Sequence, residues 1–282
     1  MRDASCVEFL QWALPQLKLR WPGFRKVRGQ VRKRLNRRLH ELELSSLDEY
    51  RNLLERSPFD PDSGEWQRLD AMCRISISRF YRDRGEFDLI REQILPELAR
   101  IASTRPDSTL RIWSAGCASG EEPCTLQIIC DRAIEPDFPQ LDFQIIASDA
   151  SEHMLRRAQE GIYPESSLKD FPATWIDSVF KTSGEEFVLS REVIDSITWL
   201  QQDIRKTQPP GTFDLIVCRH LVFTYFEPAL QLDMLNKFLA MLTPDGRLMT
   251  GKQETLPEAA GELIEPVRRL HGVYRRVNQS TI

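Results

Sequence analysis

The segment LRIWSAGCASGEEPCTLQIICDRAI, residues 110–134, joins a short apolar stretch, a loop of small residues and a segment of helical periodicity. The apolar stretch predicts a buried β-strand, and the periodicity after Pro123 predicts an α-helix. Proline suits the first turn of a helix, where the N–H group that it lacks has no intrahelical partner. A strand followed by a helix is typical of a mostly parallel sheet, so this unit indicates an α/β fold.

The same alternation continues along the rest of the chain. Further short, apolar segments that predict strands are DFQIIASD (142–149), ITWLQQD (197–203), FDLIVCR (213–219) and RLMTGK (247–252). Helical patterns occupy 151–162 and 228–242, and two additional short strands are expected between Phe187 and Leu200. TPDG (243–246) predicts a tight turn before the last strand. The pattern predicts a sheet that helices cover on both faces.

The N-terminal part of the chain, from about residue 5 to about residue 100, carries helical patterns. An apolar stripe with helical spacing is formed by Val31, Leu35, Leu39 and Leu42. The chain has a net charge of −4, yet Lys18 to Arg38 holds ten Lys or Arg and no Asp or Glu. The basic cluster Arg32 to Arg38 therefore either meets an anionic partner or forms a solvated face. Nucleic acid is disfavoured as that partner, because few aromatic residues lie among the cations.

The composition is that of a globular protein. In the 282 residues, 41% are hydrophobic and 28% are charged, which excludes disordered and collagen-like chains. No apolar run approaches the ~18 residues of a spanning helix, and the N-terminus lacks a secretory signal, so we expect a cytoplasmic protein without membrane insertion. The six cysteines form no CxxC pair, which predicts buried or incidental thiols rather than disulfides or a zinc site. No metal is expected.

A ligand site is expected at the carboxyl ends of the strands, where open α/β sheets bind ligands. The small residues around Gly116 let the backbone approach a ligand, and Asp149 ends a strand where a carboxylate can accept both hydroxyls of a ribose. The loop is neither GxGxxG nor a P-loop. Glu121 and Glu122 at the helix start would repel a pyrophosphate. A phosphate-free nucleoside with a cationic portion fits better, and S-adenosylmethionine is such a ligand.

Several motifs occur together and in register. They are FYRDRGEF (80–87), WSAGCASGEEPCT (113–125), IIASDASEHMLRRAQEGIY (145–163), FDLIVCRHLVFTYF (213–226) and LTPDGRLMTGKQE (242–254). In order and spacing they resemble the CheR family of S-adenosylmethionine-dependent methyltransferases, which O-methylate glutamate side chains of bacterial chemoreceptors. The resemblance implies an all-helical N-terminal domain at 1–75 and a Rossmann-like class I methyltransferase domain at 76–282. It also implies a small β-subdomain around 165–200.

The resemblance implies roles for individual residues. Arg82 would hold the carboxylate of the cofactor's methionine portion, Glu122 its amino group and Asp149 its ribose. Tyr225 would lie near the transferred methyl, so Arg82 and Tyr225 are the predicted catalytic residues. The other predicted cofactor contacts are Ser76, Ser78, Gly116, Asp203, Ile204, Arg219 and His220. The chain departs from the family pattern in having His220 and Asp203 where asparagine is usual, and one additional residue before Tyr225.

The predicted function is O-methylation of glutamate carboxylates in a chemoreceptor-like protein, with S-adenosyl-L-homocysteine as the second product. A glutamate acceptor is ionised at neutral pH and requires no base. A phenol, hydroxyl or amine acceptor would require one, for which His220 or Asp203 are candidates. The alternatives are therefore a small-molecule methyltransferase of the same fold and a non-catalytic protein that binds the cofactor or its demethylated product. The basic cluster Arg32 to Arg38 is predicted to dock an acidic protein substrate.

Overall fold

The computed structural model describes residues 3–60, 63–267 and 272–277, which form two compact units. The first unit comprises the described residues up to Ile75 together with Val222–Gln231. The second comprises Ser76–Leu221 and the described residues from Leu232 onward. Among these residues, no helix has both the length and the apolar character that crossing a membrane requires.

The first unit is helical. Its helices before residue 76 are α1 (Asp3–Gln16), α2 (Trp21–Phe24), α3 (Arg28–Glu41), α4 (Leu47–Arg56) and α5 (Gly64–Cys73). The apolar stripe predicted on α3 is confirmed at Val31, Leu35 and Leu39, which are buried. Helix α4 begins with a side-chain cap, because the Ser46 hydroxyl accepts a hydrogen bond from the Glu49 N–H.

The remaining elements follow in chain order. The helices are α6 (Arg84–Leu89), α7 (Leu95–Ala102), α8 (Glu121–Ile129), α9 (Glu152–Glu160), α10 (Ala173–Val179), α11 (Arg191–Asp195), α12 (Val222–Tyr225) and α13 (Pro228–Met241). Two π-helical turns (Ile90–Ile94, Cys130–Ile134) and two 3₁₀ turns (Glu165–Leu168, Glu258–Glu262) accompany them. The strands are β1 (Thr109–Ala115), β2 (Asp142–Asp149), β3 (Ile162–Pro164), β4 (Phe180–Ser183), β5 (Glu186–Leu189), β6 (Ile197–Gln201), β7 (Phe213–Val217), β8 (Leu242–Met249), β9 (Ile264–Pro266) and β10 (Val273–Arg276).

The main sheet has seven strands in the order β6-β2-β1-β7-β8-β10-β9. The first five are parallel, whereas β10 is antiparallel to both of its neighbours. Every residue of β7 is buried, as expected for a strand covered on both faces. The predicted α/β fold is therefore confirmed. The strand order reverses beside β1, so a crevice is expected at the carboxyl ends of β1 and its neighbours.

A second, antiparallel sheet has the order β3-β5-β4 and runs from Ile162 to Leu189. Aromatic rings pack beneath it. The ring of Phe80 lies 4.7 Å from that of Tyr163 and 5.1 Å from that of Phe180, both in edge-on geometry. Such pairs add to the stabilisation from burial alone. The small sheet thereby fixes Phe80, which lies two positions before the predicted site residue Arg82.

The prediction of a tight turn at TPDG (243–246) is wrong. Helix α13 ends at Met241 and β8 begins at Leu242, so these residues lie inside a strand. Phe213 pairs with Leu242 and Leu215 pairs with Arg247, which means that the strand bulges between them. The Thr243 hydroxyl donates to an Asp214 carboxylate oxygen at 3.0 Å, and this long-range contact anchors the bulge.

All six cysteines are buried. This confirms the prediction of buried thiols. Burial raises the pKa of the Cys117 thiol well above its usual range, and it does the same for Cys124. These thiols are therefore packing residues beside the loop that follows β1.

Candidate functional site

The loop after β1 turns sharply at the carboxyl end of the strand. Gly116, Ala118 and Gly120 all have positive φ angles, of 85°, 48° and 86°. At Gly116 a Cβ atom would lie 2.4 Å from Leu221 Cδ2, and the φ of 85° itself favours glycine. The loop therefore presents backbone at this position, and the approach of a ligand to Gly116 stays a prediction.

Asp149, at the end of β2, is bonded to this loop. One carboxylate oxygen accepts from the Ala118 N–H at 2.9 Å, and the other accepts from the Ser151 N–H at 2.8 Å. Ser151 in turn caps α9 through its hydroxyl. Each carboxylate oxygen can accept more than one hydrogen bond, so this arrangement is compatible with additional bonds from ribose hydroxyls. The contact with a ribose stays a prediction.

Two glutamates occupy the first turn of α8. Glu121 is 3% exposed, and it accepts hydrogen bonds from the Ser119 and Ser78 hydroxyls. Glu122 accepts one from the Ser114 hydroxyl at 2.8 Å. Burial raises the pKa of both carboxyls, and Arg219 opposes that rise at Glu122. Of the predicted cofactor contacts, Ser78 thus bonds to one of these acids.

Arg219, two residues beyond β7, is surrounded by acceptors. Its Nη2 lies 2.5 Å from an Asp83 oxygen, 2.9 Å from Glu86 Oε2 and 3.0 Å from the Arg82 carbonyl oxygen. Its Nη1 lies 3.5 Å from Glu122 Oε2. We call Arg219, Asp83, Glu86 and Glu122 the Arg219 cluster. The Arg219 side chain is 2% exposed, so the structure places it among protein groups, and its cofactor contact stays a prediction.

His220 follows with a positive φ of 56°. Its Nε2 lies 3.3 Å from an Asp83 oxygen, and its N–H donates to Glu254 at 2.9 Å. Glu254 also accepts from the Gly251 N–H at 2.7 Å. The hydrogen bond with His220 and the charge of Arg219 lower the pKa of Asp83 to about 2. Asp83 therefore stays ionised at physiological pH.

Arg82 and Ser76 lie in the segment that leads into α6. Arg82 is half-buried and donates to the Ile77 carbonyl at 2.6 Å. Burial lowers the pKa of the Arg82 guanidinium, whereas the charges of Asp83 and Glu122 raise it. Arg82 therefore interacts electrostatically with two of the acids that surround Arg219. Ser76 is half-buried, and its cofactor contact stays a prediction.

Asp203 and Ile204 follow β6, the neighbour of β2. The Asp203 carboxylate accepts from Arg205 Nε at 2.9 Å and from its Nη2 at 2.6 Å. Arg205 therefore balances the charge that Asp203 adds to this edge of the sheet. Ile204 is buried. The Gln202 N–H donates to the Asp149 carbonyl at 3.0 Å, which connects this segment to the end of β2.

Tyr225, the second predicted catalytic residue, belongs to the first unit. Its ring lies 5.0 Å from that of Phe24, and its carbonyl accepts from the Arg20 N–H at 2.8 Å. Its position near a methyl donor stays a prediction.

The second unit thus collects polar groups at the ends of β1, β2 and β7. Hydrogen bonds or ion pairs link the loop to Asp149, Glu122 to Arg219, and Arg219 to Asp83 and Glu86. Sequence reasoning missed Asp83, Glu86 and Glu254, although the first two lie inside the motif FYRDRGEF. A set of acceptors rich in carboxylates suits a ligand with hydroxyl and cationic groups, and it disfavours a phosphate.

Comparison with known proteins agrees with this chemistry. Residues 76–268 match the family described as "CheR methyltransferase, SAM binding domain". The chain is 31% identical to the chemotaxis protein methyltransferase of Salmonella typhimurium, over 83% of this chain and 78% of the relative. It is 30% identical to that of Borreliella burgdorferi, over 80% of each. It is 31% identical to chemotaxis protein methyltransferase 2 of Pseudomonas aeruginosa, over 82% of this chain and 79% of the relative.

Proposed function

Because the chain belongs to the CheR methyltransferase family, we propose that it methylates glutamate carboxylates of a chemoreceptor-like protein. Its S-adenosylmethionine-binding domain covers residues 76–268. The observation that carries the proposal is the similarity to chemotaxis protein methyltransferases over four fifths of the chain. The carboxylates at the ends of β1 and β2 support it, because they match a ligand that is cationic and lacks phosphate.

The residues of the crevice fit this cofactor. Asp149 would accept the ribose hydroxyls, Glu122 would hold the amino group and Arg82 would hold the carboxylate. Gly116 would let the backbone approach the cofactor, because it has no side chain. When bound, S-adenosylmethionine supplies an electrophilic methyl group on a sulfonium.

The residues of the chain would contribute by orienting the two reactants, and no proton transfer is required of them. Methyl transfer needs the acceptor oxygen about 3 Å from the methyl carbon, opposite the sulfur, so alignment and exclusion of water supply much of the rate enhancement. A glutamate acceptor is already ionised, and no residue of the chain has to remove a proton. Tyr225, which we propose lies near the methyl, would contribute to this alignment.

The test is methyl transfer from labelled S-adenosylmethionine to a recombinant cytoplasmic fragment of a chemoreceptor. We expect a product that releases methanol in mild alkali, because carboxyl methyl esters are alkali-labile. A fragment with its acceptor glutamates changed to glutamine should accept no methyl group. An alkali-stable product, or equal transfer to the glutamine fragment, would exclude a glutamate acceptor.

A second candidate is a small acceptor with a neutral nucleophile. The contact between His220 and Asp83 favours it, since a carboxylate can orient a histidine that acts as a base. Asp203 is less suited to that role because it is paired with Arg205. Under this candidate, His220→Asn would abolish methylation of phenols, hydroxyls or amines, whereas under the first candidate it would leave transfer to the receptor fragment largely intact.

We also propose that α3 docks an acidic protein substrate. Only part of the basic cluster Arg32 to Arg38 is available for this role, because several of its arginines contact other residues of the first unit. Arg34 donates to the carbonyls of Met72 and Arg74, and Arg38 pairs with Glu65 at 2.6 Å. These two arginines hold the first unit together. Arg32 lies 3.2 Å from Asp3.

The exposed cations on this helix are Lys33 and Arg37, and we call them the basic face. The Arg37 side chain is 75% exposed, and the nearest carboxylate, that of Glu41, lies 3.8 Å away. Both cations are therefore available to an acidic surface, and they carry the docking proposal.

A further inference from the structure

We propose that Glu86 is a positioning residue, which holds Arg219 away from Glu122 so that the Glu122 carboxylate is left to bind the amino group of the cofactor. This inference rests on the proposed orientation of S-adenosylmethionine, in which Glu122 contacts that amino group. Glu86 itself would not contact the cofactor. It acts through the guanidinium of Arg219.

The two terminal nitrogens of the Arg219 guanidinium differ in their contacts. Nη2 makes three contacts of 2.5 to 3.0 Å, to Asp83, Glu86 and the Arg82 carbonyl. Nη1 reaches Glu122 at 3.5 Å, which is long for a charge-assisted hydrogen bond. The guanidinium also lies over the Phe87 ring, with its central carbon 5.1 Å from the ring centroid. Arg219 is therefore drawn toward α6 and only weakly engages Glu122.

The position of Arg219 matters because the Arg219 cluster holds more carboxylates than guanidinium groups. Three carboxylates surround one guanidinium, so Arg219 cannot neutralise all of them. The cluster is nearly dry, since Glu86 is 7% exposed and the side chain of Arg219 is 2% exposed, and Coulomb interactions are strong there. If Glu86 lost its charge, Asp83 would be the one carboxylate left at Nη2, and the attraction of Glu122 for Nη1 would meet less opposition. Arg219 would then compete with a ligand ammonium for the same carboxylate.

Two buried atoms of the cluster retain unused bonding capacity. Glu86 Oε1 and Arg219 Nε have no hydrogen-bond partner among the residues that the structure describes. Arg219 can therefore turn about its side-chain torsions without breaking a bond at Nε. The other oxygen of Glu86 accepts from Arg219 Nη2.

The test replaces Glu86 by the isosteric, neutral glutamine and compares two ligands by calorimetry. S-adenosylhomocysteine carries the amino acid portion, and 5′-methylthioadenosine carries the nucleoside and thioether without it. For Glu86→Gln we expect the affinity for S-adenosylhomocysteine to fall about tenfold and the affinity for 5′-methylthioadenosine to stay unchanged. Asp83→Asn, at a more exposed member of the cluster, should act in the same direction if Glu86→Gln fails to fold. Glu92→Gln, exposed on the same helical segment, should change neither affinity.

Glu122→Gln separates the failure of this inference from that of the proposed function. If Glu122→Gln selectively weakens S-adenosylhomocysteine but Glu86→Gln and Asp83→Asn do not, the positioning role is overturned and the cofactor orientation stands. If Glu122→Gln does not discriminate between the two ligands, the proposed orientation is wrong and the inference falls with it. Equal weakening of both ligands by Glu86→Gln would indicate a structural role and would also overturn the proposal.

Discussion

Asp149 bonds to backbone N–H groups on two different segments, so its carboxylate is held at the edge of the crevice. Asp149→Asn retains one oxygen acceptor and the side-chain shape but removes the charge. We expect the affinity for S-adenosylhomocysteine to fall by a factor of about ten to a hundred, which corresponds to losing a charge-assisted hydrogen bond to a ribose hydroxyl. Calorimetry measures this change.

The control for this variant is Asp142→Asn, at the opposite, exposed end of the same strand. It should leave the affinity unchanged. An Asp149→Asn protein that binds as tightly as the parent would remove Asp149 from the ribose site.

The raised pKa of Glu122 makes cofactor binding depend on pH. Burial favours the neutral carboxyl group, whereas an ammonium ligand requires the carboxylate. The affinity for S-adenosylhomocysteine should therefore fall as the pH decreases through the raised pKa of Glu122, with a limiting slope of about tenfold per pH unit for one proton. In Glu122→Gln this part of the decrease should disappear, and an unaltered pH profile in that variant would contradict the assignment.

The sequence predicted the acids at strand and helix ends because position in an α/β unit determines what they face. Asp149 and Glu122 are of this kind. The partners of Arg219 were not predictable in the same way, since Glu86 lies 133 positions away in the chain. Nothing in the spacing of FYRDRGEF indicates which of its acids turns toward the residue after β7.

At the scale of elements, Gly120 sets how closely α8 approaches its neighbours. A Cβ atom there would lie 2.7 Å from the Ala158 Cβ and 2.9 Å from the Trp199 ring, at a φ of 86°. Gly120→Ala should therefore lower the free energy of unfolding by about 2–4 kcal/mol, through strain at positive φ together with overpacking. Thermal and denaturant unfolding measure this loss.

Gly85 provides the matched control within α6. It has open space around its Cα, and its φ is not in the left-handed region. Gly85→Ala should leave the stability unchanged or raise it by up to about 1 kcal/mol, as alanine is the better helix former. Equal stability of the two variants would contradict the close packing at Gly120.

The basic face of α3 leads to a kinetic prediction. Lys33→Glu with Arg37→Glu should raise the KM for the receptor fragment about threefold to tenfold, because it reverses charges that would steer an acidic substrate. The kcat and the affinity for S-adenosylhomocysteine should not change. The control with the same total charge is Arg56→Glu with Arg68→Glu, at exposed arginines of α4 and α5. A KM that responds equally to both pairs would reject docking at α3.

Sequence patterns identified the five parallel strands because each is a short apolar run beside a helix. They did not identify β9 and β10, which have three and four residues. They also placed two additional short strands between Phe187 and Leu200, where the structure has the end of β5, helix α11 and then β6 of the main sheet. The bulge in β8 depends on the contact between Thr243 and Asp214, which local turn propensity does not contain. Short strands and long-range anchors are set by tertiary packing, and this limits prediction from one sequence.

At the scale of the whole molecule, the chain leaves the second unit and returns to it. Val222–Gln231, between β7 and β8, belongs to the first unit, where the Arg20 side chain donates to the Thr224 carbonyl at 3.1 Å. The predicted catalytic Tyr225 lies in this segment. A continuous motif, FDLIVCRHLVFTYF, therefore contributes Arg219 to one unit and Tyr225 to the other, which its sequence alone does not reveal.

The central claim is that the crevice at the ends of β1 and β2 binds S-adenosylmethionine through its carboxylates. A crystal structure of the chain grown with S-adenosylhomocysteine tests it most directly. We predict ligand density beside the loop at Gly116, with the ribose hydroxyls on Asp149 and the amino group on Glu122. Ligand density at another place, or a crevice that takes up a phosphate-bearing nucleotide instead, would contradict the claim.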